Sequence, residues 1–517
     1  MPDQMPDQMP AEIIGQNARS SRPAVRARLI IVVVALFSTL FVLAVARRQG
    51  MLASLPPPLG DPRGREAALT SPPLTGAEAR EAIRREAGHI VACSFTSGTS
   101  ATADPNADGY GALNDDGIGD HGPDWVVPEP GAVGAISLLR AAAFLRAHGN
   151  KNDALEPALD GFFDVWLVGH RQGWVTDPHS ADFGGMAARL GYDAQGRRVR
   201  ADEATPAATG MMLVAMWKRY EYLADTGRAP AGRAWLARAC PLASAARGYL
   251  LAHFDTNTEL ERGPASSPDE WLTDAVAAAD GLLCLDRWAA LMGRPDPQCL
   301  ATAVRLRSGI AAMKEDDSWK GYYRLRRHDQ KDQPTNADCV DQIAFLPYEA
   351  DVLDPGDPFV RRISDNWTVG PNAMTAQATD PAAWTYFGTH WHRYFAPRLE
   401  NDYLYPGPGL QLAKAEWKYA RRTHDRVMAL RATNRLRWAV APQYSALWDK
   451  NGGLVDWRDA RDHGHAAEPW ARFIDTSGYL IQAVLMVSFG QDTRYTPEDA
   501  PPASTVTAPP STTTRQP

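Results

Sequence analysis

Between about residue 75 and residue 491, apolar positions recur at helical spacing, and the period-2 alternation of a half-buried strand is almost absent. Six stretches carry apolar or small residues on several faces, beginning near Gly131, Thr205, Ser267, Asp338, Gly407 and Asp475. Successive starts lie roughly 65 to 75 residues apart, a spacing that reads as a structural period. Helices of that composition are buried on most sides, so these six form an inner set.

Each of the first five is followed by a more one-sided stretch with its charges on one face: "NDALEPALDGFFDVWLVGH", "GRAWLARACPLASAARGYLLAHF", "DPQCLATAVRLRSGIAAMK", "DPFVRRISDNW" and "HDRVMALRATNRLRWAVA". The sixth has no follower. One amphipathic helix is left over at the start, "TGAEAREAIRREAGHIVAC", residues 75–93, and beside the last inner helix it completes six pairs. The pattern therefore predicts an all-α fold, a closed (α/α)6 toroid of six helical hairpins.

The third inner stretch, "SSPDEWLTDAVAAADGLLCLDRWA", poses a problem of its own. Ser267, Pro268 and Glu270 read as an N-cap, a proline at the first helical position and a capping-box glutamate. Asp269 and Glu270 then serve the helix entrance. Asp274 falls about one turn further in, three residues after Trp271, where no cap explains it.

"NDDGIGDHGPDWVVPEPGAVGAISLLRAAAFL", "HSADFGGMAARLGYD" and "DEWLTDAVAAADGLLCLDRWAAL" resemble stretches of fungal six-hairpin glycosidase-like proteins of unassigned activity. The resemblance to the six-hairpin glycosidase-like superfamily covers roughly residues 75–491. It implies the toroidal fold and sugar chemistry in a broad sense, since hydrolases, lyases, phosphorylases and epimerases share that fold. Function has to be argued from the site.

The ends differ from the middle. Residues 29–46, "LIIVVVALFSTLFVLAVA", form an uncharged apolar run close to the minimum for a bilayer span. Arg19, Arg22, Arg26 and Arg28 precede it and favour a cytoplasmic N-terminus. The expected organisation is a cytoplasmic segment 1–28, a transmembrane signal-anchor 29–46, a Pro-rich stalk 47–74, the toroidal catalytic domain 75–493 and a Ser/Thr/Pro tail 494–517. The toroid would then stand outside the cytoplasm, in the secretory pathway or at the cell surface. A net charge of −7 and the lack of a basic, aromatic-laced stripe argue against a nucleic-acid partner.

Five cysteines show no metal spacing, and no zinc motif, nucleophile elbow, phosphate loop or dinucleotide fingerprint occurs. Neither a metal nor a cofactor is expected in the reaction. Asp104, Asn106, Asp108, Gly109 and Asp115 match a calcium loop in spacing, but the flanks lack its paired helices, and a tight turn explains the composition.

In a toroid the loops entering the inner helices line one funnel, and here they are rich in acids and aromatics. Glycoside hydrolysis needs two carboxyl groups facing one bond. A buried acid beside Trp271 can be raised toward neutral pH, which makes Asp274 the expected general acid, with Glu400 or Asp402 as partner. Asp120, Trp174, Asp182, Trp271, Asp341, His390, Trp391, His392 and Tyr403 are the expected substrate contacts. Asp338 and Asp475 read as N-caps. The function expected is a membrane-anchored glycoside hydrolase on an extracellular or cell-wall glycan. Two alternatives share the fold: a polysaccharide lyase on a uronate polymer, using His390, His392, Arg393 and Tyr394, or a non-catalytic glycan-binding toroid.

Overall fold

The computed structural model describes residues 72–95, 104–114, 124–149, 154–264, 269–315, 322–324, 326–327, 339–340, 344–368, 403–404, 406–440, 453, 458–459 and 473–491, all within the unit Glu66–Pro517. Among these residues are twelve α-helices: α1 (Gly76–Ala92), α2 (Pro128–Ala147), α3 (Leu155–Asp160), α4 (Pro206–Asp225), α5 (Ala229–His253), α6 (Leu272–Leu291), α7 (Pro297–Ala312), α8 (Leu346–Glu349), α9 (Pro358–Thr368), α10 (Pro406–Thr423), α11 (Arg426–Val440) and α12 (Ile474–Phe489). A π-helical segment, Gly161–Gly169, continues α3.

The even-numbered helices make a ring. Each packs on the next, α2 on α4, α4 on α6, α6 on α8, α8 on α10, α10 on α12, and α12 returns to α2. The odd-numbered helices lie against them: α1 on α12 and α2, α3 on α2, α5 on α4, α7 on α6, α9 on α10, and α11 on α10 and α12. The expected count and the role of the leftover first helix are both observed.

Composition explains the layers. In α1, Ala79, Ala82, Ile83, Ala87 and Ile90 are buried at three- and four-residue spacing, and Thr75 and Glu78 form a capping box at its entrance. In α6 nearly every residue from Leu272 to Leu285 is buried, as a helix enclosed by neighbours requires. Small residues let α4 and α6 come close. A Cβ built on Gly210 would lie 2.2 Å from the Ala277 carbonyl oxygen, and one on Gly281 would lie 2.9 Å from the Gly210 Cα.

Below the ring's entrance, buried polar groups link four inner helices. Lys414 Nζ of α10 bonds the Glu349 carboxylate of α8 and donates to Gln482 Oε1 of α12 at 2.7 Å. Gln482 Nε2 donates to Ser137 Oγ of α2 at 2.9 Å.

Three expectations need correction. The third inner helix does not begin at Ser267–Glu270: the chain stays extended through Trp271, and the helix starts at Leu272. Glu270 and Trp271 form a two-residue strand paired antiparallel with Arg327 and Arg326, and the Thr258 hydroxyl bonds Glu270. Ladder and side-chain bonds thus occupy Glu270, while Ser267 and Pro268 lie outside the described residues. The fourth inner helix shrinks to one turn, Leu346–Glu349, because Cys339–Val340 is used as a strand. Short strands are also common among the described loops, where two- and three-residue ladders brace the chain between helices. None of the helices among the described residues is long and apolar enough to cross a membrane, and the expected span 29–46 lies outside them.

Candidate functional site

A narrow funnel opens among the N-terminal halves of the inner helices, with about 40 Å³ of accessible space inside it. All six inner helices contribute: Glu129 and Val133 from α2, Met211 from α4, Thr273 and Val276 from α6, Glu349 from α8, Gln411 from α10, Tyr479 and Gln482 from α12. Its lining is therefore mixed, apolar on the wall of α2, α4 and α6 and polar on the opposite side.

Two acids with raised pKa values stand in the first turns of the inner helices α6 and α12, and neither is among the residues that line the funnel. Asp274 is the third residue of α6 and is buried, with Oδ1 accepting the Ala207 backbone N–H of α4 at 2.7 Å. Its carboxyl is pushed up to about 7, chiefly by burial, opposed by that N–H and reinforced by the charge of Glu129. The helix shift noted above answers why an acid sits there: Asp274 lies in the first turn after all, in the field of two helix N-termini. Thr273 and Val276 line the funnel on either side of it in sequence, and Asp274 itself stands behind them, between α6 and α4.

Asp475 is the second residue of α12, not its N-cap, which is Phe473. Its carboxylate accepts the Thr476 N–H at 2.6 Å, yet burial pushes it up to about 6. As third and sixth members of the inner ring, α6 and α12 stand opposite each other. At 8–10 Å between neighbouring axes, opposite members of such a ring are roughly 16–20 Å apart.

Behind Asp274 is a second buried acid, Glu261, on the hairpin strand Leu260–Glu261 that follows α5. Neither of its carboxyl oxygens has a hydrogen-bond partner, and burial together with the charge of Asp274 holds its pKa well above the carboxylate range.

Of the other expected contacts, Trp271 is the half-buried N-cap residue of α6, extended rather than helical, so it does not share a helical face with Asp274. Trp174 is only 4 % exposed and bridges to Met186, which leaves no open ring face for a sugar to stack on. Asp182 is half-buried with Oδ1 3.7 Å from His253 Nε2 at the end of α5, and it is not part of the funnel lining. Tyr403 lies in a short strand paired with Asp459. Glu400, Asp402, Asp120, Asp341, His390, Trp391 and His392 lie outside the described residues. In the proposed calcium loop, Asp104 accepts from Asn106, while Asp108 accepts from Gln172 and the Arg198 N–H; these carboxylates serve protein donors.

Sequence reasoning missed Glu349, and it counted Glu129 and Asp475 among the acids of the funnel loops without giving either a role in the site. Glu129 and Asp475 each follow the first residue of an inner helix, a position where an acid is readily credited to the helix dipole. The common signal, an acid in the first turn of α2, α6, α8 and α12 but not of α4 or α10, needs correct helix starts to be visible.

No family model matches the chain, and no curated protein matches it. Among solved structures it is similar to a D-mannose isomerase (12% identity, 81% of this chain and 100% of that one, TM-score 0.52). It is also similar to a family 15 glucoamylase from Hypocrea jecorina (10% identity, 80% and 72%, TM-score 0.53). At such identities the likeness is one of fold alone, a toroid of helical hairpins.

Proposed function

With the six-hairpin toroid as premise, we propose that the chain is an enzyme acting on a carbohydrate, a glycoside hydrolase for an extracellular or cell-wall glycan. The observation that carries the reading is the pair of raised acids in the first turns of opposing inner helices, Asp274 near 7 and Asp475 near 6. Two carboxyl groups whose environments set their pKa values apart can divide the work at one pH. Between those values Asp274 keeps its proton and Asp475 gives its proton up. Asp274 is then the donor to the glycosidic oxygen, and Asp475 the carboxylate that activates water or attacks the sugar. Glu129, on the funnel wall, keeps Asp274 from ionising. Glu400 and Asp402, from the fifth loop, are the other acids that could take the second role. The protein reaches its glycan from the membrane, held there by the apolar run at 29–46, with the toroid outside the cytoplasm.

Release of reducing sugar from a panel of glycans tests the reading. Asp274→Asn and Asp475→Asn keep size and shape, so they should fold normally and lose activity by about two to four orders of magnitude. Full activity in Asp274→Asn would remove that residue from the chemistry. An ultraviolet-absorbing unsaturated product without hydrolysis would make the protein a lyase, and aldose–ketose interconversion would make it an isomerase.

A further inference from the structure

Beside the funnel stands a small three-stranded sheet whose two faces differ. Its strands are β1 (Asp124–Val126), β3 (Leu190–Tyr192) and β4 (Arg198–Ala201), with β3 in the middle. Val126, Leu190 and Tyr192 are buried. On the outward face Trp125, Gly191 and Arg200 lie in one row across the three strands. Gly191 has no side chain to separate the outer two: a Cβ there would be 3.4 Å from both the Arg200 Cβ and the Trp125 ring. The indole and guanidinium meet over that gap, with the Arg200 Cζ 5.2 Å from the ring centre. Arg189, two residues before Gly191, brings its own Cζ to 5.3 Å.

Chain connectivity fixes where this face lies. Trp125 precedes the first residue of α2 by three positions, and Glu129 of that helix lines the funnel. The strands β3 and β4 sit in the segment that enters α4. The sheet therefore lies on the side of the ring where α2 and α4 begin, the side whose helix halves line the funnel.

Its charge is only partly neutralised, by the ion pair of Arg200 with Asp202. Arg189 is exposed and makes no ion pair among the described residues. Arg200 is exposed and bonds Asp202 Oδ1 through Nε at 2.8 Å, which leaves its terminal amino groups for a ligand. The exposed Arg198 lies on the same strand. Guanidinium groups held near an aromatic ring are partly arranged in advance, and their planar forks match a carboxylate.

We propose that Trp125, Arg189 and Arg200 form an outer subsite, at the rim of the funnel, for the carboxylate of a uronate unit in an acidic glycan. The proposal rests on the reading of the funnel as a glycan site and names the class of glycan it takes. The unit bound at the rim leaves the next along the chain to enter the funnel. A neutral sugar gains the indole edge and hydrogen bonds to its hydroxyls but no ion pair, so the rim favours acidic polymers.

Affinity electrophoresis on the full chain tests it, in an Asp274→Asn background so that binding is read without turnover. The probes are polygalacturonate, the same polymer fully methyl-esterified, and dextran sulfate. Polygalacturonate should retard the protein strongly and its neutral ester weakly. Arg189→Gln with Arg200→Gln should weaken retention by polygalacturonate about tenfold or more, as loss of charge-assisted bonds implies, and Trp125→Ala by several-fold. Unchanged thermal midpoints would show that these surface variants fold. Equal retention by acid and ester, undiminished binding in the double variant, or equal retention by dextran sulfate as a generic polyanion would each overturn the subsite. A wild-type protein that selects the acidic polymer without hydrolysing any glycan ends the hydrolase reading alone. One that hydrolyses glycans without selecting the acidic polymer ends the subsite alone.

Discussion

Asp274 and Glu261 lie close together at the start of α6, and their different surroundings lead to opposite expectations. Asp274 has a backbone donor and a place beside the funnel; Glu261 has neither. Its folded pKa is raised, so the folded state holds a proton that the unfolded chain releases above about 4.3. Stability from this residue is therefore greatest below that pH and falls as pH rises. Glu261→Met, of similar size and apolar, should stabilise the fold by about 1–3 kcal/mol at pH 7. The gain should shrink toward pH 4, as urea unfolding at the two pH values would show. For the proposed chemistry the corresponding signature is a narrow bell in kcat/KM. It rises as Asp475 ionises near 6 and falls as Asp274 loses its proton near 7. In Asp274→Asn, any residual activity should lack the alkaline limb. A rate independent of pH between 5 and 8 would rule out this pair of roles.

At the scale of elements, the crossing of α4 and α6 carries the most demand. Gly210 and Gly281 face each other there, and an added methyl at Gly210 meets the carbonyl of Ala277, part of the opposing backbone, which cannot swing aside. Alanine would gain up to about 1 kcal/mol in helix propensity. Overpacking costs about 1–3 kcal/mol, more where backbone must move. The second effect should win, so Gly210→Ala should lower the urea midpoint. Because α4 supplies the Ala207 N–H to Asp274, it should also shift the alkaline limb of the pH profile. An unchanged midpoint would mean the two helices have slack. The start of α6 shows how local signals compete: Ser267-Pro268-Asp269-Glu270 is a strong capping pattern, yet a ladder with Arg326–Arg327 and the Thr258 hydroxyl takes Glu270 and Trp271.

Across the whole molecule, the ring closes through contacts between residues far apart in sequence. Lys414 is fully buried and bonds Glu349, 65 residues away, and Gln482, 68 away. Breaking such a pair leaves one charge buried alone, at a cost of about 3–5 kcal/mol. Lys414→Met should lose that much in urea unfolding and loosen the side of the funnel formed by α8, α10 and α12. Lys414→Met with Glu349→Gln should recover part of it, because the isolated charge is gone. Equal losses in the single and double variants would show that Glu349 is not the group left uncompensated.

Periodicity alone established the alternation of enclosed and one-sided helices, the count of six pairs and the need for the first helix to close on the last. Those features follow from spacing and from how many faces of each helix are apolar, which every residue of the pattern reports. It also marked Asp274 as an acid without a local purpose. Tertiary structure decided where α6 begins, how short α8 is, that Trp174 is enclosed, that Glu129 lines the funnel, and that Asp274 and Asp475 stand in the first turns of α6 and α12. Each of these depends on a partner from a distant part of the chain: a strand that takes up a cap, a neighbouring helix that supplies an N–H, or the ring order that sets α6 across from α12. Local sequence carries no term for such partners, so the ring could be counted in advance while the site could not be assembled.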